Sequence, residues 1–190
     1  PYGLRPLRRA DNMPYAGGMT RYRIASGAAG MYRGSPVCLD ATTRTLIPAA
    51  AGNLGAGTPE LYVGVLNGVE YTDASGNYVQ RNNFPASAAA TDAWGYVIDD
   101  PNVVFSVQVQ AENFDVFANS VIGSAYALSN HTLGNTTTGR STARLNTAAG
   151  AATNNPFRIL GIVDTPNNPN ASGFVDVEVR INTTFHINER

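Results

Sequence analysis

The residues able to do chemistry in this chain are few and scattered. His131 lies in a Gly/Asn/Thr-rich stretch and His186 near the end of the sequence, 55 residues away. Neither has acids grouped around it, as a metal site or a proton-relay triad requires, so each reads as a solvent-facing ring. Asp99 and Asp100 are adjacent, which in a strand would point them to opposite faces; they suit a turn better than a paired acid/base task. Asp176 and Glu178 share one face of an alternating run and read as surface carboxylates. No serine is framed as a nucleophile elbow. Cys38, the one cysteine, sits in the strand-like run PVCL and reads as a small buried residue; it excludes an internal disulfide and a cysteine-built zinc site. Residues 48–59, PAAAGNLGAGTP, are glycine-rich but lack the Gly-Lys-Ser/Thr end of a phosphate-binding loop. These features point away from an enzyme, and no cofactor or metal is expected.

The arginines are distributed less evenly. All 13 basic residues are Arg, and Arg5, Arg8, Arg9, Arg21, Arg23 and Arg33 fall in the first 35 residues, where Asp11 is the only acid. A front of net charge +5 therefore precedes a body of −6, although the whole chain carries only −1. Residues 1–20, PYGLRPLRRADNMPYAGGMT, contain three Pro and three Gly and hold no helical or strand period. They nevertheless carry Tyr2, Leu4, Leu7, Met13, Tyr15 and Met19, large groups that a free arm would leave in water. Residues 1–35 are therefore expected to form an extended basic arm with a first short strand. Its docking groups would be those six residues with Arg5, Arg8, Arg9, Arg21 and Arg23. The alternative is that the arm folds back over its own acidic body. Nucleic acid is a poor partner, because that body would repel phosphates. An acidic protein surface fits better, with the apolar groups supplying affinity and the arginines setting register.

The elements that would carry these groups are strands. Trp94, Tyr96 and Ile98 alternate before the turn Asp99-Asp100-Pro101-Asn102, and Val103, Phe105, Val107 and Val109 alternate after it, which reads as a half-exposed β-hairpin at the centre of the core. Val175, Val177, Val179 and Ile181 alternate with polar residues in a second such strand within residues 174–187. Residues 61–72, LYVGVLNGVEYT, form a strand with a turn or bulge at Asn67-Gly68, and the run Tyr62–Asn67 is echoed by Ile159–Asp164 as though in equivalent positions of one sheet. Shorter pieces follow one another between residues 21 and 47, one helical turn is expected near 114–117, and strands are expected near 125–128 and 142–145. The expectation is an all-β barrel or sandwich of short antiparallel strands over residues 36–190, preceded by the arm. A chain of 190 residues can bury such a core unaided. No apolar run approaches the ~20 residues of a membrane span, and residues 1–20 lack the apolar centre of a signal peptide.

Gly3-Leu-Arg-Pro6, Arg21-Tyr-Arg-Ile-Ala25, the GVLNGVEY run of residues 64–71, residues 94–105 and the closing Val-Glu-Val-Arg-Ile-Asn together resemble small virion structural proteins of tailed bacteriophages, in particular cyanophage and marine-phage head proteins. The resemblance covers nearly the whole chain. It implies a capsid decoration (cement) protein, made in the host bacterial cytoplasm and seated on the outer surface of the virion. There it would bind the major capsid protein, act as a homodimer or homotrimer, and stabilise the shell across capsomer boundaries. No catalytic residues come with that family. The competing expectation is a carbohydrate-binding or host-adhesion module, in which Tyr71, Tyr78 and Trp94 stack on sugars.

Overall fold

The computed structural model describes residues 1–40, 42–49, 62–118, 121–130, 132–147, 151, 155–168 and 170–182. His131, His186, most of the glycine-rich loop, Leu61 and residues 183–187 of the last expected strand lie outside the described residues. Within them the chain is all-β and antiparallel, as its alternation requires. One sheet runs in the order β1 (Arg5–Arg9), β10 (Val103–Gln108), β16 (Asp176–Ile181), β15 (Phe157–Ile162), β11 (Ala125–Ser129), β14 (Arg144–Asn146). The other runs β2 (Thr20–Arg23), β9 (Thr91–Ile98), β6 (Tyr62–Thr72), β4 (Pro36–Leu39), β5 (Leu46–Pro48), with β7 (Tyr78–Arg81) added on β6. Two small ribbons pair β3 (Met31–Tyr32) with β8 (Asn83–Phe84) and β12 (Gly134–Asn135) with β13 (Arg140–Ser141). No helix among the described residues is long and apolar enough to cross a membrane.

Each sheet curls: the second until its outermost strands touch, the first until the end of β10 reaches β14. Ile24, just after β2, bridges Leu46 of β5 in parallel, and Val109, just after β10, bridges Leu145 of β14. Such curling encloses a core, while β1 stays the outermost strand of the first sheet. In the second sheet Val37, Leu46, Val63, Leu66, Val97 and Ile24 form that interior, where Gly95 leaves room: a Cβ there would lie 2.6 Å from Leu46. The alternate residues Tyr62, Val65 and Ile98 turn outward into a larger core shared with Phe105, Phe157, Val177 and Val179 of the first sheet. Tyr62 and Phe157 meet edge to face, their ring centroids 5.6 Å apart. Burial of such large side chains stabilises the fold by roughly 1.5–3 kcal/mol each.

Four expectations need correction. Trp94–Ile98 and Val103–Gln108 are strands, and Asp100 does cap the turn between them by accepting the Asn102 amide at 2.8 Å. They do not pair as a hairpin, however: β9 lies in one sheet and β10 in the other, so the turn is an arch between sheets. Nor is β10 half exposed, since Val104 and Ser106 are buried along with Val103, Phe105 and Val107. The similar runs at Tyr62 and Ile159 likewise lie in different sheets, and residues 114–117 form turns without a helix. By contrast, β16 alternates half-buried Asp176, Glu178 and Arg180 with buried Val177, Val179 and Ile181, Cys38 is fully buried, and register slips at Asn67 as a bulge there requires.

The expected free arm is the largest correction. Residues 5–9 are the outermost strand of the first sheet, pairing with β10, and residues 20–23 form β2 of the second, pairing with β9. The physical reason is visible in the charge. The basic front neutralises its own acidic body, so the segment folds back instead of reaching outward.

Candidate functional site

The sequence-predicted docking residues divide into those that hold the fold and those that face solvent. Leu4 is buried in the shared core, its amide donating to the Gly34 carbonyl at 2.9 Å. Gly3 beside it has φ +73°, and a Cβ there would come within 2.6 Å of that carbonyl, so the chain can thread this gap only as glycine. Tyr2 lies against β10 and β16 with its hydroxyl bonded to Ser106; burial pushes its phenol well above the usual range, and nearby Asp176 adds to this. The Arg5 guanidinium stacks 4.0 Å from the Tyr2 ring. Arg8 pairs with Glu178 at 2.6 Å, and Arg9 with Asp100 at 2.8 Å and Asp11 at 3.5 Å. Tyr15 packs against the shared core and its hydroxyl donates to the Gly18 carbonyl.

Three apolar members of the set remain outside. Leu7 is left unpaired at a bulge in β1 between Pro6 and Arg8, while Met13 and Met19 flank the crossing from β1 to β2. Their exposures are 39%, 59% and 43%, so this segment leaves three large apolar side chains in solvent.

Arg21 and Arg23 belong to a second surface, built on the outer face of the second sheet. In register, Arg21 lies opposite Tyr96, Arg23 opposite Trp94, Trp94 opposite Glu70, and Glu70 opposite Gln80. The period of two places all of them on the side away from the sheet's apolar interior. Glu70 is their hub. Its Oε2 accepts from the Tyr78 hydroxyl at 2.6 Å and the Tyr96 hydroxyl at 2.5 Å, while Oε1 pairs with Arg21 Nη2 at 2.5 Å. These hydrogen bonds, with the Arg21 charge, hold its carboxyl below the ordinary range despite burial. The guanidinium of Arg21 also stacks on Trp94 at 4.4 Å, with that of Arg23 at 5.9 Å. Tyr22, on the opposite side of β2, donates to Asp99 at 2.9 Å.

No protein-family model, curated protein or solved structure matches the chain. Among the described residues no group of three or more metal-ligating side chains comes together.

Two residues of the aromatic face escaped the sequence reading. Glu70 and Tyr96 carried a readable signal, since both occupy the outward phase of strong strands, but pairing β6 with β9 is non-local. Tyr71, expected to stack on sugars, is buried and meets Phe84 edge to face at 5.5 Å. Trp94 is half-buried beneath the arginines, whereas Tyr78 is 63% exposed.

Proposed function

We propose that this chain is a virion structural protein of the capsid decoration type, a non-enzymatic module that binds the outside of a major capsid protein shell and stabilises it across capsomer boundaries. The sequence resemblance suggests the family, and exposed Leu7, Met13 and Met19 supply the docking groups. Their exposure carries the reading. These are large apolar side chains on a segment otherwise sewn into both sheets, so a partner that covers them meets a pre-ordered surface and avoids the entropy of ordering a free arm. Several such contacts per shell, engaged by a homodimer or homotrimer, add through effective concentration.

The test is to add purified protein to shells of the parent phage lacking it and to count bound copies by sedimentation and imaging. Wild type should bind the outer surface, and Leu7→Ser/Met13→Ser/Met19→Ser should bind at least tenfold more weakly while keeping its melting temperature within a few degrees. Equal binding by the triple variant would overturn the docking assignment, and no binding by wild type would overturn the function.

The second reading, a carbohydrate-binding or host-adhesion module, is favoured by the outer face of the second sheet, where exposed Tyr78 shares Glu70 with half-buried Tyr96 beside half-buried Trp94. A glycan array distinguishes it: saturable glycan binding lost in Tyr78→Ala, with no shell binding, would replace the first reading.

A further inference from the structure

A crevice of about 270 Å³ opens where the N-terminal segment passes between the two sheets. Leu4, Val65 and Ile98 form its base, and Arg5, Arg33 and Arg140 line it, together with Asn67. No Asp or Glu is among its lining residues. The four ion pairs among the described residues engage Arg8, Arg9 and Arg21, and none of them engages the three crevice arginines.

The backbone forces two of those charges together. Arg33 and Arg140 face each other across a parallel bridge, fastened by the Arg33 amide to the Gly139 carbonyl and the Ser141 amide to the Arg33 carbonyl, both at 2.9 Å. Like charges at directly opposed positions repel, as Arg158 and Arg180 also do in the first sheet, but of the two opposed pairs only Arg33 and Arg140 line a crevice free of Asp and Glu. Arg5 adds a third guanidinium from β1, held against Tyr2. Arginine forks accept a carboxylate in bidentate fashion, and the apolar base beneath them suits the methylene stem of a glutamate. A free phosphate would leave that base uncovered.

We infer that this crevice binds a carboxylate side chain of an acidic peptide segment, gripped by Arg33 and Arg140 with Arg5 opposite. Such a site serves any partner with that chemistry, and so stands whether or not the chain decorates a capsid.

Isothermal titration of the full chain with a short Glu-rich peptide tests it, with inorganic phosphate as a second titrant and Arg158→Gln, an exposed arginine elsewhere on the first sheet, as a charge control. Saturable peptide binding is expected for wild type and Arg158→Gln. It should weaken roughly tenfold or more in Arg33→Gln/Arg140→Gln, the scale of losing charge-assisted hydrogen bonds. Arg140→Gln alone serves the same comparison if the double variant fails to fold. Absence of binding to wild type, equal binding by the crevice variants, an equal loss in Arg158→Gln, or tighter binding of phosphate than of peptide would each overturn the inference.

Discussion

At the scale of single residues, the side chains that matter most are the ones whose partners lie far away in sequence. Glu70 is held by Tyr78, Tyr96 and Arg21, so Glu70→Gln should cost about 1–3 kcal/mol in urea melts at pH 7 through the lost charge-assisted bonds. Its pH dependence has a definite sign. The folded carboxyl titrates below the unfolded value of about 4.3, so its contribution is complete above that pH and is lost as pH falls through the folded value. The gap in urea midpoint between wild type and Glu70→Gln should therefore be constant from pH 7 to about 5 and close below about 4. A gap that widens on acidification would contradict this. Leu4→Ala should cost about 2–5 kcal/mol, because Leu4 is buried in the core shared by both sheets. A free arm would register almost nothing.

At the scale of elements, alternation made strands legible wherever one face is buried and the other wet, as in β16, and Asp100 made the turn after β9 legible through its own side chain. Strand β10 defeated that reading because Arg8 and Tyr2 cover its second face, and no local pattern announces a cover that comes from a hundred residues earlier. The hairpin failed for a related reason: Ile98 and Val103 belong to strands of different sheets that face one shared core, and a four-residue turn can arch between layers as readily as it reverses within one. The N-terminal strands were hidden by Pro6 and Gly3, which resemble loop residues. Proline is nonetheless tolerated on an outermost strand, and Gly3 sits in a gap that only glycine can pass. Deleting residues 1–20 should consequently strip β1 from β10 and remove Leu4 from the core. The expected result is a truncated protein that aggregates or loses its cooperative thermal transition, and a truncated protein with an unchanged transition would contradict the element assignment.

At the scale of the whole molecule, the charge asymmetry that suggests a reaching arm is spent internally, in ion pairs of Arg8, Arg9 and Arg21 with Glu178, Asp100 and Glu70. On and around that segment, exposed Leu7, Met13 and Met19, the aromatic face around Glu70, and the arginine crevice at the seam face outward. The all-β class was legible from alternation and turn chemistry, whereas the division between structural and outward residues of the first 23 depended on pairings that only the folded chain reveals. The central claim is that this segment is a structural part of both sheets. Amide hydrogen exchange of the intact protein tests it most directly: the hydrogen-bonded amides within residues 5–9 and 20–23 should show slow exchange comparable to β9 and β10, while loop residues 16–19 exchange fast. Exchange of residues 5–9 and 20–23 at the rate of an unfolded chain would contradict it.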